Sequence, residues 1–267
     1  MTSRPTVAHL VTPYLFLTGG WIHTQLTHNR EFRPIVITQG RENEGTFEFQ
    51  PVYDLSDDRA TDGVRRASRI ATRISKYLLG QFPPEPYRRI YEREEVRVIH
   101  AHLGWEGART VLSADRPRRP FVVSFYGRDA GLLPRHPYWR ALYKRLFARA
   151  DRVLAEGPYM GETLVRIGAP RDRVRVVHLG IPLEQFPFAE RRLPEEGPIV
   201  GLIAASFREK KGIVYALEAM ARIASAHPRL RLRVIGDGPE RPAIESLAHS
   251  PALQGRVDLL GYQPPEV

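Results

Sequence analysis

The chain has 267 residues, 42% of them hydrophobic and 26% charged, which suits one large or two modest globular domains and excludes a disordered chain. No apolar run approaches the roughly 18 residues of a membrane-spanning helix, and with no cysteine there is neither a disulfide nor a thiolate zinc site. The net charge is +10, and 4 of the 40 basic residues are lysine, so the basicity is almost all arginine. Arginine's planar fork suits phosphates, although a general bias toward arginine would give the same composition. The start of the chain, MTSRPTVAHLVTPY, has no apolar stretch of signal-peptide length. A cytoplasmic protein is expected.

Strand-like and helix-like segments alternate along the chain. Val7–Thr12 is a short apolar run, followed by Gly19-Gly20 and a helical stretch over Trp21–His28. Pro34–Thr38 is the next strand, and Val64–Leu79 reads as a helix with Val64, Ile70, Ile74, Tyr77 and Leu78 near one face. Val96–His100 is a strand, Gly107–Ala114 a short helix and Phe121–Phe125 a buried-type strand. Tyr138–Arg149 is a helix presenting Trp139, Leu142, Tyr143 and Leu146. Arg152–Ala155, a helix over Pro158–Ile167, and Val174–Val177 continue the pattern. Strands separated by helices of this length imply right-handed crossovers and a mainly parallel sheet.

Phe186–Pro198 is rich in proline and charge and reads as a linker. Alternation restarts with strand Ile199–Ala205, helix Ile213–His227, strand Leu230–Ile235, helix Glu240–Leu247 and strand Val257–Leu260. The expected division is residues 1–190 as one α/β domain and 198–267 as the first part of a second. About 70 residues after the linker fall short of the ~100–150 common for a domain, so the second is expected to be incomplete.

Candidate site residues lie where strands end, because ligands of parallel α/β sheets bind outside the carboxyl ends of the strands. Thr18-Gly19-Gly20-Trp21 joins the first strand to the first helix; its glycines allow close backbone approach to an anion, or simply form a tight turn. Ser206-Phe207-Arg208-Glu209-Lys210-Lys211-Gly212 leaves the first strand of the second part and carries three cations, with Arg208 able to grip a diphosphate bidentately. Gly236-Asp237-Gly238-Pro239 leaves the next strand and is either a plain turn or a wall of the same pocket. In the first part, His100-Ala101-His102 and Ser124-Phe125-Tyr126-Gly127-Arg128-Asp129 end two strands. His100 and His102 point to one face at i, i+2, but no third ligand is in view, so a polar rim contacting a sugar is expected rather than a metal site. Arg65, Arg66, Arg69 and Arg73 fall at helical spacing, as a solvated face or as a peripheral contact with anionic membrane.

The ordered segments IHAHLGWEGART, VVSFYGRDA, RVRVVHLGIPLEQF, ASFREKKGIVYALEAM, RVIGDGPERPAIESLA and VDLLGYQPP resemble the successive blocks of glycosyltransferase family four, nearest its exopolysaccharide (colanic-acid-type) branch. The resemblance spans about His100 to Pro265, more weakly the TGGWIHTQL stretch. It implies two Rossmann-like domains of the glycosyltransferase B type. It also implies transfer of a sugar from a nucleotide diphosphate sugar to a saccharide or lipid-linked acceptor, with retention and with no cofactor or bound metal. Lys211 matches the family's donor-diphosphate lysine. The companion arginine commonly lies five residues earlier, where Ser206 stands here, and Arg208 is the arginine at hand. Gly20 matches the loop facing the donor phosphates; Ser206, Gly236, Asp237 and Gly238 fall where the donor pocket is shaped. His102 and Asp129 match polar positions on the acceptor side, and Tyr126 stands where many members carry a histidine. The chain stops at Val267, before a segment in which the family carries two donor-binding glutamates. By itself it is expected to bind donor poorly, and an inactive fragment with a partner- or nucleotide-binding role is the alternative reading. A nucleic-acid module is disfavoured because the basic residues are scattered over many elements. A dinucleotide oxidoreductase is disfavoured because the full glycine fingerprint is missing.

Overall fold

The computed structural model describes residues 4–16, 19–56, 80–115, 117–190 and 192–263. The helix expected over 64–79, with its arginine face, lies outside them, as does Thr18. Two compact units divide the chain at Phe186/Pro187.

The first unit holds a seven-stranded sheet: β1 (Thr6–Leu10), β2 (Arg33–Thr38), β3 (Val52–Asp54), β4 (Val96–His102), β5 (Phe121–Phe125), β6 (Arg152–Ala155) and β7 (Val174–Val176), in the order β3-β2-β1-β4-β5-β6-β7. Every pairing is parallel. The order reverses between β1 and β4, the switch point of a doubly wound sheet, where a crevice opens outside the carboxyl ends. The described helices are α1 (Gly20–Thr27), α2 (Pro84–Arg93), α3 (Gly104–Thr110), α4 (Arg128–Gly131), α5 (Pro137–Arg149) and α6 (Pro158–Arg166). One face of the sheet, with Ala8, Leu10, Ile99, Ala101, Val123 and Phe125, forms the main core with α2, α3 and α5. The other face, through Val36, packs on Ile22 and Leu26 of α1. Since strand side chains alternate, His9 on β1, His100 and His102 on β4 and Ser124 on β5 all share the α1 face.

Three elements escaped the sequence reading: β3, α2 and the four-residue α4. β3 has only three residues, too few for a periodic signal. α2 reads PEPYRRIYER, which its prolines and charges disguise; yet proline is favourable in a first helical turn, and Tyr87, Ile90 and Tyr91 bury one stripe. Gly104 opens α3 against a wall of aromatic atoms: a Cβ there would lie 2.1 Å from Phe125 and 2.6 Å from the Tyr143 hydroxyl. Only glycine lets α3 start this close to β5.

The second unit has a three-stranded parallel sheet, β8 (Ile199–Ala204), β9 (Leu230–Ile235) and β10 (Val257–Gly261), in the order β10-β9-β8, with α7 (Ile213–Ile223) and α8 (Arg241–Ala248). Phe207, Ile213, Leu217, Val234 and Ile244 form its core. The opposite face of the sheet is open: Leu202 is 64% and Val200 46% exposed. Both units are parallel α/β layers of the Rossmann-like kind expected from the sequence.

Candidate functional site

In the first unit the carboxyl ends of β1, β4 and β5 bring His9, His102 and Tyr126 together. His9 Nδ1 lies 2.9 Å from His102 Nε2, and His102 Nδ1 lies 2.7 Å from the Tyr126 hydroxyl. His100 Nε2 is 2.8 Å from Ser124 Oγ. The strand registers produce this: His9 is opposite His100, and His102 opposite Ser124. Burial drives the His9 pKa well below the ordinary value, helped by His100. Burial lowers His102 likewise, with His100 and His9 adding to it, and brings His100 to about 4. All three rings are therefore neutral at pH 7. Tyr126, pushed up to about 12 chiefly by burial, keeps its proton.

α1 forms the other wall. The Trp21 ring lies 5.5 Å from that of Tyr126, which puts the start of α1, and with it Gly20, beside the His102–Tyr126 pair. Two cavities open here. One of about 390 Å³ is lined by His9, His100, Gln25 and His28, and one of about 250 Å³ by His100, Tyr126, Gln25 and Glu156. Glu156, just past β6, is half-buried, and burial with the nearby Asp129 charge raises its pKa. A cavity of about 740 Å³ at the amino edge of the sheet is lined by Arg4, Arg97, Arg118 and Arg119 with Glu92 and Glu95. It is far from every sequence motif, and Arg118 is spent on Asp151.

Asp129, a candidate for the acceptor side, is bound by backbone donors. It is fully buried, and its carboxylate accepts from the backbone N–H of Gly104 (2.8 Å), Gly127 (2.9 Å), Tyr126 (3.1 Å) and Ala130 (3.2 Å). Burial raises its pKa, and the backbone N–H donors pull against that shift. It ties the β4–α3 turn to the β5–α4 turn and so positions Tyr126.

The second unit builds a basic platform. After β8 the chain runs through Ser206 to Phe207, which is buried, and then turns outward at Arg208, Lys210 and Lys211, all exposed. Gly212, at φ +70°, lets the chain enter α7 immediately. The Gly236-Asp237-Gly238 turn braces this loop from behind: Phe207 N donates to the Asp237 carbonyl at 2.8 Å, and Glu240 N donates to that of Phe207 at 3.1 Å. A Cβ on Gly236 would sit 1.9 Å from the Ala205 carbonyl oxygen, and one on Gly238 2.6 Å from that of Phe207. Asp237 is held by Arg241 Nε at 2.8 Å, and that guanidinium also covers the Phe207 ring. Among the described residues no carboxylate pairs with Arg208, Lys210 or Lys211.

Sequence reasoning singled out His102 and Tyr126, which the fold unites, and missed His9, Gln25 and Glu156. His9 hides inside an apolar run, and only the β1–β4 register reveals it as a neighbour of His100 and His102.

Residues 24–185 match the sequence model of Glycosyltransferase Family 4, and residues 185–267 that of Glycosyl transferases group 1. The chain belongs to glycosyltransferase family 4. It is 26% identical over 169 residues to the putative colanic acid biosynthesis glycosyltransferase WcaL of Escherichia coli K12, covering 62% of this chain and 41% of WcaL. It is 27% identical over 148 residues to the amylovoran biosynthesis glycosyltransferase AmsK of Erwinia amylovora, covering 54% and 35%. The chain thus spans less than half the length of these relatives. Among solved structures, HepE (Alr3699) of Anabaena in complex with UDP superposes with a TM-score of 0.71 over 97% of this chain and 69% of HepE, at 14% identity. Sucrose-phosphate synthase from Thermosynechococcus elongatus gives 0.61 over 97% and 71%, at 17% identity. These likenesses fix the fold as the glycosyltransferase B type. No helix among the described residues is long and apolar enough to cross a membrane.

Proposed function

We propose that this chain is part of a retaining glycosyltransferase of polysaccharide biosynthesis, moving a hexosyl group from a nucleoside diphosphate sugar to a saccharide or lipid-linked acceptor. The observation that carries the reading is the Arg208–Lys211 platform. It places exposed cations, unpaired among the described residues, at the carboxyl edge of β8 on a loop locked by Gly236 and Gly238. HepE, of the same fold, is bound to UDP and to UDP-glucose in its structures, which supports the same donor class here.

In this reading a nucleoside diphosphate leaves as the anomeric bond breaks, and its growing negative charge is what the platform opposes. Cations fixed before the reaction stabilise that charge without reorganising. Arg208 offers a planar fork and Lys211 a compact point charge. The first N–H groups of α7, which begins immediately after Gly212, add donors of the same sense. Same-face attack, with the departing phosphate taking the acceptor's proton, asks for no protein base and no cofactor. The first unit supplies the acceptor side. Tyr126 lines it, the buried neutral His102 holds the Tyr126 hydroxyl, and Asp129 holds their loops, while Gly20 stands in the loop that the family resemblance assigns to donor phosphates. A cytoplasmic enzyme touching the anionic membrane peripherally, with no specific nucleic-acid partner, fits this acceptor class.

The test is a calorimetric titration of the chain with UDP and GDP, with Lys211→Ala and Arg208→Ala alongside. Each substitution removes a charge-assisted hydrogen bond worth about 1.5–3 kcal/mol, so affinity for one of the two nucleotides should fall about tenfold to a hundredfold. Equal affinity in wild type and both variants would remove the platform from the donor site. The open face of the β8–β10 sheet favours a second reading, a partner-binding module; it gains ground if neither nucleotide binds at all.

A further inference from the structure

The histidine pair judged short of a third ligand has one in the fold. Two rings of the cluster have one nitrogen committed to a neighbouring hydroxyl. His100 spends Nε2 on Ser124, and His102 spends Nδ1 on Tyr126. That leaves His102 Nε2 facing His9 Nδ1 at 2.9 Å. One ring nitrogen from each of His9, His100 and His102 lies within 4.8 Å of the other two. His9 Nε2 is buried and has no hydrogen-bond partner.

We infer that His9, His100 and His102 form a three-imidazole site for a late first-row divalent cation of the zinc type, joining β1 to β4. The donor set is all nitrogen, which suits zinc, cobalt, nickel or copper and not magnesium or calcium. Ser124 and Tyr126 already occupy the outer nitrogens of two rings, as the hydrogen-bonded second layer of a histidine–metal site does. Burial keeps the rings neutral, the form that coordinates. Zinc–nitrogen bonds near 2.0–2.1 Å in tetrahedral geometry set the nitrogens about 3.3 Å apart. The His9–His102 contact must therefore widen slightly and the other pairs close from at most 4.8 Å, movements that ring rotation supplies. The proton between His9 Nδ1 and His102 Nε2 moves to the unused His9 Nε2, so binding needs no net loss of a proton from the cluster. A cavity of about 390 Å³ borders His9 and His100, two of the three rings. The site lies wholly in the first unit and is independent of the diphosphate platform.

The experiment is a Co(II) titration of the dialysed chain, followed by visible absorption and reversed with Zn(II). One saturable equivalent with the intense bands of a four-coordinate ion is expected. His9→Gln and His100→Gln should each weaken binding at least tenfold, and His249→Gln, an exposed histidine of the second unit, should leave it unchanged. No saturable absorption, or equal loss in the His249 and His9 variants, would overturn the site. Should the cluster variants not fold, the wild-type chain decides alone. Zn(II)-dependent imidazole nitrogen shifts confined to the three buried rings support the site, and shifts confined to exposed rings such as His136 and His249 refute it.

Discussion

Gly236 shows how one residue can decide whether a functional loop exists. Its φ of +141° already favours glycine, and any Cβ would collide with the Ala205 carbonyl, which is backbone and cannot swing away. Gly236→Ala should destabilise the second unit by at least about 2 kcal/mol, from overpacking and backbone strain together. Urea unfolding followed by far-ultraviolet circular dichroism measures this. The same variant should lose nucleotide affinity with Arg208 and Lys211 still in place, because the loop carrying them is displaced. Alanine at Gly45, where a Cβ meets nothing within 4 Å, should do neither.

At the scale of elements, Glu94 fastens the short outer strands to α2. Its carboxylate accepts from the Tyr53 hydroxyl of β3 at 2.6 Å and from Arg33 of β2 at 3.0 Å. The Tyr53 bond is the chief reason its pKa lies below the ordinary value of 4.5; burial opposes the shift, and Arg33 and Arg93 add to it. A depressed carboxylate means that the unfolded chain binds more protons than the folded one as the pH falls. The stabilisation is therefore present above about pH 4.5 and is lost as the pH drops through the folded value. Glu94→Gln should cost about 1–3 kcal/mol at pH 7, and the gap from wild type should close toward pH 3. Paired denaturation curves at the two pH values check it. This network was invisible in the sequence: β3 is three residues long, and Glu94 reads as one charge in the run Glu92-Arg93-Glu94-Glu95. The long central strands, by contrast, were legible as apolar runs, and α5 by its stripe of Leu142, Tyr143 and Leu146. The basic platform was legible because its cations are consecutive and follow a strand. The histidine cluster was only half legible, because the register that adds His9 is a property of the sheet.

For the molecule as a whole, the two units differ in how completely their sheets are covered. β1 is buried along its whole length, with helices and loops on both sides, whereas β8 alternates between half-buried and exposed residues. Opening free energy follows buried apolar contact. Amides of β8, β9 and β10 should therefore exchange with deuterium well before those of β1, β4 and β5. Mass spectrometry of peptic fragments from the intact chain would show this, and equal protection of the two sheets would contradict it.

The open side of the β8–β10 sheet also governs how the chain behaves in a tube. Val200, Leu202 and Leu260 lie on strands at its two margins and present oily surface to solvent. Two such surfaces meeting in concentrated solution would bury each other, and sheet margins invite strand-to-strand stacking. Light scattering should rise with protein concentration, and Leu202→Lys should suppress that rise without touching the nucleotide platform. The high net positive charge keeps dilute molecules apart, so salt, by screening that repulsion, should bring the clouding to lower concentration.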